Sequence, residues 1–185
     1  HAFGEWLELD RRVERNPFAR FRPIFVQGRD ETQHSRALTM EEVERLADAF
    51  PARACLYYVA ATTGLRANEC RSLRWSDLRI QGEDVPHIQM PAYRDGVQQT
   101  KNGKDALIPL QSWVADELLR HRATRMGEVT VFDLPQDTAR MIRTDAAYAG
   151  VDEFDQEGRK LTFHSLRSST ATILLRLGVP LDMVQ

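Results

Sequence analysis

Residues 52–62 (ARACLYYVAAT) are apolar around nearly the whole circumference of a helix, and a helix of that kind is stable only when other elements surround it. Pro51 suits its first turn and Gly64 its end. The run therefore commits the chain to a layered helical core, and the neighbouring segments supply the layers. Thr39 caps a preceding helix that runs to about Phe50, and Glu42, three residues on, completes a capping box. Val43, Leu46, Ala47 and Phe50 recur along one face of it. Beyond Gly64 the pattern predicts a short helix over 67–73, then longer ones over 112–125, 136–148 and 164–177. Gly178 suits the end of the last, and Pro180 the first turn of another.

Between the short and long helices the periodicity changes. Residues 78–80, 87–90 and 105–109 alternate or carry β-formers, and Asn102-Gly103 is a tight-turn pair between two strands. The expected fold class is mainly α (α+β), a helical domain with a small three-stranded antiparallel sheet. Upstream, residues 3–15 read as the tail of a helix stopped by Asn16-Pro17, and 17–36 as a linker. The division expected is 1–36 as the end of one helical domain plus linker, and 37–185 as a second domain.

Composition limits the function classes. With 42% apolar and 28% charged residues in 185, the chain can bury a core and keep a wettable surface. No apolar run approaches the roughly 18 residues of a membrane helix, and no secretory leader is visible at the N-terminus. His1 stands where an initiator Met would, so the start reads as a fragment end. Cys55 and Cys70 fall inside helical apolar patterns and read as reduced core residues of a cytoplasmic protein. A net charge of −2 and a pI near 6.2 do not announce a nucleic-acid binder. The charge is segregated, however. Arg66, Arg71, Arg74 and Arg79 crowd one stretch, Arg159, Lys160, Arg167 and Arg176 another, and acid gathers at Asp152-Glu153 and Asp155.

Three short motifs carry candidate chemistry. Gly64-Leu65-Arg66 follows the buried helix, and Glu69 lies three residues on, where it can pair with a neighbouring Arg. His164 and Arg167 are spaced to share one helix face, and with Thr162 as N-cap both would sit at the positive end of the helix dipole, where anions bind. Lys101 and Lys104 flank Asn102-Gly103, and a lysine there could donate a proton to a leaving oxygen. Taken singly, each has a bland reading: a helix end with a solvated Arg, a helix with a polar first turn, a turn with solvated lysines. His34, His87 and His121 show no metal-ligand spacing.

The ordered set changes the balance. Gly64-Leu65-Arg66-Ala67-Asn68-Glu69, Leu73-Arg74-Trp75-Ser76-Asp77, Thr100-Lys101-Asn102-Gly103-Lys104, Ile108-Pro109-Leu110 and His164-Ser165-Leu166-Arg167 together resemble the tyrosine recombinase (phage integrase) family over about residues 35 to 185. The lead-in Leu38-Thr39-Met40-Glu41-Glu42 resembles the start of that family's catalytic domain, and Asn16-Pro17 the end of its DNA-gripping helical domain. The resemblance implies site-specific recombination of double-stranded DNA by a homo-tetramer, through a 3′-phosphotyrosyl intermediate. Arg66 and Arg167 would hold the scissile phosphate, His164 would assist with phosphate contact and proton management, Lys101 would protonate the departing 5′ oxygen, and Glu69 would support. It implies no metal, no cofactor, no small-molecule substrate and no membrane.

Three departures stand out. Ser168 occupies a position where the family often has a second His, and Cys70 one where Leu is commoner. More serious, the family's nucleophilic Tyr follows the His-x-x-Arg helix by some tens of residues. Tyr57, Tyr58, Tyr93 and Tyr148 all precede Arg167 and read as packing residues. The expectation is a catalytic domain truncated before its nucleophile and inactive alone. Rival readings are a type IB topoisomerase-like enzyme, a non-catalytic DNA-binding module that keeps the fold, and a plain helical interaction domain.

Overall fold

The computed structural model describes residues 8–15, 35–100, 103–176 and 179. The chain divides into two units, residues 1–32 and 33–185. In the first, helix ends at Leu9, and residues 10–15 are turn and bend. That is shorter than the helix expected to Arg15. The Arg11 backbone adopts a positive φ of 54° and its N–H donates to the Glu8 carbonyl, a local turn that breaks the helical path.

The second unit opens with α1 (Met40–Ala49), α2 (Pro51–Thr63) and α3 (Ala67–Ser72). The Thr39 box forms as the sequence predicts: Thr39 Oγ1 accepts from Glu42 N–H at 3.2 Å, and Glu42 accepts from Thr39 N–H at 2.9 Å. Glu42 also takes the buried Arg36 guanidinium at 2.7 Å. Val43, Leu46 and Ala47 face inward. The all-apolar helix α2 is the hub, packed against α1 and two later helices, α4 (Ser112–Thr124) and α6 (His164–Arg176). Cys55, Leu56, Tyr57, Val59, Ala60 and Ala61 are buried along it. Cys55 and Cys70 are unbridged, and burial pushes both thiols up.

After a 3₁₀ turn (Trp75–Asp77), β1 (Leu78–Arg79), β2 (His87–Met90) and β5 (Ala106–Pro109) form a three-stranded antiparallel sheet in the order β1-β2-β5. Its register pairs Leu78 with Ile88 and Ile88 with Ile108. Alternation buries Ile88 and Met90, while Gln89 and its partner Leu107 stay exposed. A further tight hairpin, which the sequence reading did not single out, stands beside this sheet. It joins β3 (Tyr93–Arg94) to β4 (Val97–Gln98) in a separate two-stranded sheet. Asp95 (φ 52°) and Gly96 (φ 78°) form its turn. Two positive φ values in succession define the type I′ turn, which Asp-Gly favours as strongly as Asn-Gly does. Asn102 lies outside the described residues. The strand that follows it, β5, pairs with β2 and not with β4.

The last two helices complete the core. α5 (Thr138–Tyr148) is capped by Asp137, whose carboxylate accepts from Arg140 N–H at 2.9 Å. It lies against α1 and sends Asp145 inward to α2. There Arg53 grips Asp145 with two hydrogen bonds of 2.7 Å, and the Tyr57 hydroxyl donates to the same carboxylate. Gly178 and Pro180 lie outside the described residues.

Candidate functional site

The site is built where α2 stops. An α-helix leaves its last carbonyls without intrahelical donors. Gly64 turns the chain there with φ 69°, its N–H donating to Ala60 O at 3.1 Å. A left-handed residue bearing a side chain costs about 1–2 kcal/mol. A Cβ on Gly64 would also meet Thr170 Oγ1 at 3.4 Å and Arg167 Cγ at 3.7 Å, so α6 approaches this backbone closely. α6 satisfies the orphan carbonyls: Thr170 Oγ1 donates to Ala61 O at 2.7 Å, and the Arg167 guanidinium donates to Gly64 O. A spacing of three residues on α6 thus places Arg167 beside the segment that carries Arg66.

Arg66 starts α3. Glu69 holds it twice, accepting from its backbone N–H at 2.8 Å and from its guanidinium at 3.0 Å. Glu69 is 10% exposed whereas Arg66 remains 39% exposed, so one side of the guanidinium is fixed and the other is free for a ligand. His164 opens α6. The cap there differs from the expectation: Thr162 Oγ1 lies 3.0 Å from Ser35 Oγ, and it is Ser165 Oγ that reaches back to accept from Thr162 N–H at 2.9 Å. A serine at the second helical position does this because its short hydroxyl reaches the preceding backbone. His164 and Arg167 nonetheless lie in the first turn, as their spacing requires.

Arg66, Glu69, His164 and Arg167 all line one open cleft of about 540 Å³. Its wall also includes Gln98, Gln99 and Thr100, and Thr138 and Ala139 at the start of α5. These wall residues, from the hairpin and a distant helix, carry no motif that singles them out in the sequence. Lys101 lies outside the described residues. Its neighbours are well tied: Thr100 Oγ1 donates to Lys104 O at 2.7 Å, and Gly103 N–H to Thr100 O at 3.1 Å.

The electrostatics are those of a partly desolvated cation cluster. Burial, then Arg66, lowers the pKa of Arg167. Burial, then Arg167 and Arg66, lowers that of His164 below 6.5. Arginine keeps its charge regardless, so the two guanidiniums stand partly desolvated against one another, with Glu69 as the charge that offsets them. The cleft can hold one doubly contacted oxyanion, and its desolvation and two guanidiniums favour the neutral form of the His164 ring. Among the described residues, no group of three His, Cys, Asp or Glu side chains could hold a metal ion, and no helix is long and apolar enough to cross a membrane.

The lowered His164 value sets a pH dependence. The unfolded chain binds this proton more readily than the folded one, so stability is fully present above about 6.5 and falls as pH drops through the folded value. His121, lowered by burial and by Arg125, adds to the same trend. Thermal melts at pH 7.5 and 5.5 are expected to show a smaller acid-induced drop for His164→Gln than for the parent chain; an equal drop would show that His164 is not held neutral by the fold.

The profile of the phage integrase family matches residues 36–185, four-fifths of the chain. This chain belongs to the phage integrase family. Among curated relatives, the tyrosine recombinase XerA of Thermococcus kodakarensis is 27% identical over 158 residues, covering 81% of this chain and 52% of that protein. A tyrosine recombinase of Thermosipho africanus is 28% identical over 200 residues, covering the whole chain and 62% of the relative. The chain thus spans between about half and three-fifths of the length of these relatives. Among solved structures, the Tn1549 transposon integrase in complex with transposon right end DNA superposes with a TM-score of 0.70 at 18% identity, covering 100% of this chain and 66% of the other. A likeness at that identity speaks for the fold.

Proposed function

We infer that this integrase-family domain binds duplex DNA and grips one scissile phosphate for site-specific strand exchange. The observation that carries the reading is the convergence of Arg66, His164 and Arg167 in one cleft, with two mutually repelling guanidiniums. In the reaction, a tyrosine oxygen attacks phosphorus, the bond from phosphorus to the 5′ oxygen breaks, and a 3′-phosphotyrosyl bond forms. Arg66 and Arg167 donate to the non-bridging oxygens, whose charge builds in the pentavalent transition state. Glu69 fixes the Arg66 fork. His164, neutral, contacts the phosphate and takes the tyrosine proton. Lys101 delivers a proton to the departing 5′ oxygen. A second strand's 5′ hydroxyl then reverses the steps on a new partner, in an assembly of four copies on DNA.

None of the chain's own tyrosines suits the attack. Tyr57 is buried, its phenol pushed up by burial and by Asp145; Tyr58 packs edge-on against Trp113. Tyr148 packs at a tilt against Phe50 at the last residue of α5, and Tyr93 lies on the β3–β4 hairpin beside Gly103. We therefore place the nucleophile outside these 185 residues and expect the chain alone not to cleave DNA.

The test is chemical. In the full-length protein, Lys101→Ala should cleave normal DNA at a rate lower by a factor on the order of 10²–10⁴, the usual contribution of a general acid. On DNA whose bridging 5′ oxygen is replaced by sulfur, a leaving group that needs no proton, the rate should return to near that of the parent. Loss on both substrates alike removes the general-acid role, and no cleavage by the parent protein on either leaves only a DNA-binding module.

A further inference from the structure

Asn68 is exposed in the first turn of α3 and lines the cleft with Arg66, Glu69, His164 and Arg167. Its partner is Arg71, three residues on, whose guanidinium donates to Asn68 Oδ1. The same guanidinium donates through Nε to Leu134 O at 3.2 Å and through its other amino group to Pro135 O at 2.8 Å. Those two carbonyls belong to the loop that leads into α5, whose first residues, Thr138 and Ala139, also line the cleft. Arg71 is therefore held by oxygens from two segments, and Asn68 is held by Arg71.

That grip decides what Asn68 can offer a ligand. An amide side chain has an accepting oxygen and an amino group with two N–H donors, whereas a guanidinium only donates. The Asn68 oxygen must therefore face Arg71, which leaves the amino group pointing away from it. Among the described residues nothing takes up those two N–H groups. Arg71 also polarises the amide. Its hydrogen bonds go to neutral oxygens, and among the described residues no carboxylate pairs with it. A cation on the amide oxygen draws electron density from the nitrogen and makes its N–H groups stronger donors. Asn68 thus presents donors alone to a cleft already lined by Arg66 and Arg167, and the group that suits it is an oxyanion.

Resting on the recombinase reading above, we propose that Asn68 donates to a second DNA phosphate, next to the one held by Arg66 and Arg167, and that Arg71 is the positioning residue that fixes its amide. Residues two apart at a helix start do not face one another, so Asn68 and Arg66 reach separate groups. Successive phosphates of one strand, about 3.4 Å apart along the duplex axis, supply them. The contact carries no sequence information. Reading an adenine edge takes an amide that donates and accepts at once, and the accepting half of Asn68 is already engaged by Arg71.

The experiment measures the affinity of the full-length protein for two short duplexes, one A·T-rich and one G·C-rich, across a salt series and well below each variant's melting temperature. Asn68→Ala should weaken both by about tenfold, as losing one hydrogen bond to a charged group does. It should keep the parent's slope of log affinity against log salt, since a neutral amide releases no counterion. Asn68→Asp, which still accepts from Arg71 but turns a negative oxygen toward the backbone, should weaken both further. In an Arg71→Met background the amide is no longer held, and Asn68→Ala should then cost less than about threefold. No loss for Asn68→Ala, a loss confined to the A·T-rich duplex, or fully additive losses with Arg71→Met overturns the proposal. Arg66→Ala separates the two readings. Loss there, with a lower salt slope, and none for Asn68→Ala leaves the recombinase reading standing without this contact. Loss for Asn68→Ala and none for Arg66→Ala keeps the contact and removes the phosphate grip from that reading. A parent protein that binds neither duplex overturns both.

Discussion

Arg167→Ala should reduce strand cleavage by the full-length protein by a factor on the order of 10²–10³, the usual cost of removing one donor aimed at transition-state charge. Arg167 does two jobs, and both disappear. Its guanidinium faces the cleft beside Arg66 and His164, and it also donates to the Gly64 carbonyl at the end of α2. A buried carbonyl left without its donor costs roughly 1–3 kcal/mol, so the variant should melt earlier as well. Arg66→Ala separates the two effects. It removes the comparable phosphate contact proposed for Arg66 but leaves the end of α2 capped by Arg167 and Thr170. Both variants should lower the slope of log affinity against log salt for duplex DNA by about one, and only Arg167→Ala should carry the larger loss of stability. Equal salt slopes for the parent and both variants would remove phosphate from the cleft.

The largest effect on stability is expected far from the cleft. Asp145 is 2% exposed and accepts two hydrogen bonds from Arg53 and one from Tyr57. Asp145→Ala should destabilise the domain by about 3 kcal/mol or more, as breaking a buried pair does. Arg53, 35% exposed, can turn to water. The Tyr57 hydroxyl in the core cannot, and it bears most of the cost. For a domain of this size that is a drop in melting temperature of roughly 6–12 °C. Asp145→Asn, which still accepts from Tyr57, should lose less. DNA affinity measured well below the melting temperature should be unchanged, because the triad does not line the cleft. A loss of affinity without a loss of stability would mean that the triad's role has been misplaced.

Local rules made much of this fold legible. The all-apolar run became the hub, because a helix with no polar face has nowhere else to go. The Thr39–Glu42 box formed because both partners lie within one turn, and the Arg66–Glu69 pair for the same reason. His164 and Arg167 came to share a turn through spacing alone. What was hard to read depends on distance along the chain. The Arg94–Asp77 and Arg53–Asp145 pairs join residues 17 and 92 positions apart, and nothing local in charge or period marks such partners. The β3–β4 hairpin was hard to read for a different reason. Asp95-Gly96 carries the same turn chemistry as Asn102-Gly103, and only the strand pairing, with β5 on β2, shows which pair closes a hairpin. Thr162 was expected to cap α6. Its hydroxyl instead meets Ser35, a neighbour that only tertiary structure supplies.

If the Arg66–His164–Arg167 cleft receives a DNA phosphate, the His164 ring reports on it directly. In the free chain its pKa is held down by burial and by the two guanidiniums. A phosphate seated between those guanidiniums cancels their push and favours the protonated ring. NMR titration of His164 in the 185-residue chain, with and without a saturating short duplex, should therefore show its pKa rising on DNA binding, and the rise should vanish when Arg66 and Arg167 are both replaced by Ala. A His164 that titrates at the same pH with and without bound duplex would contradict the claim.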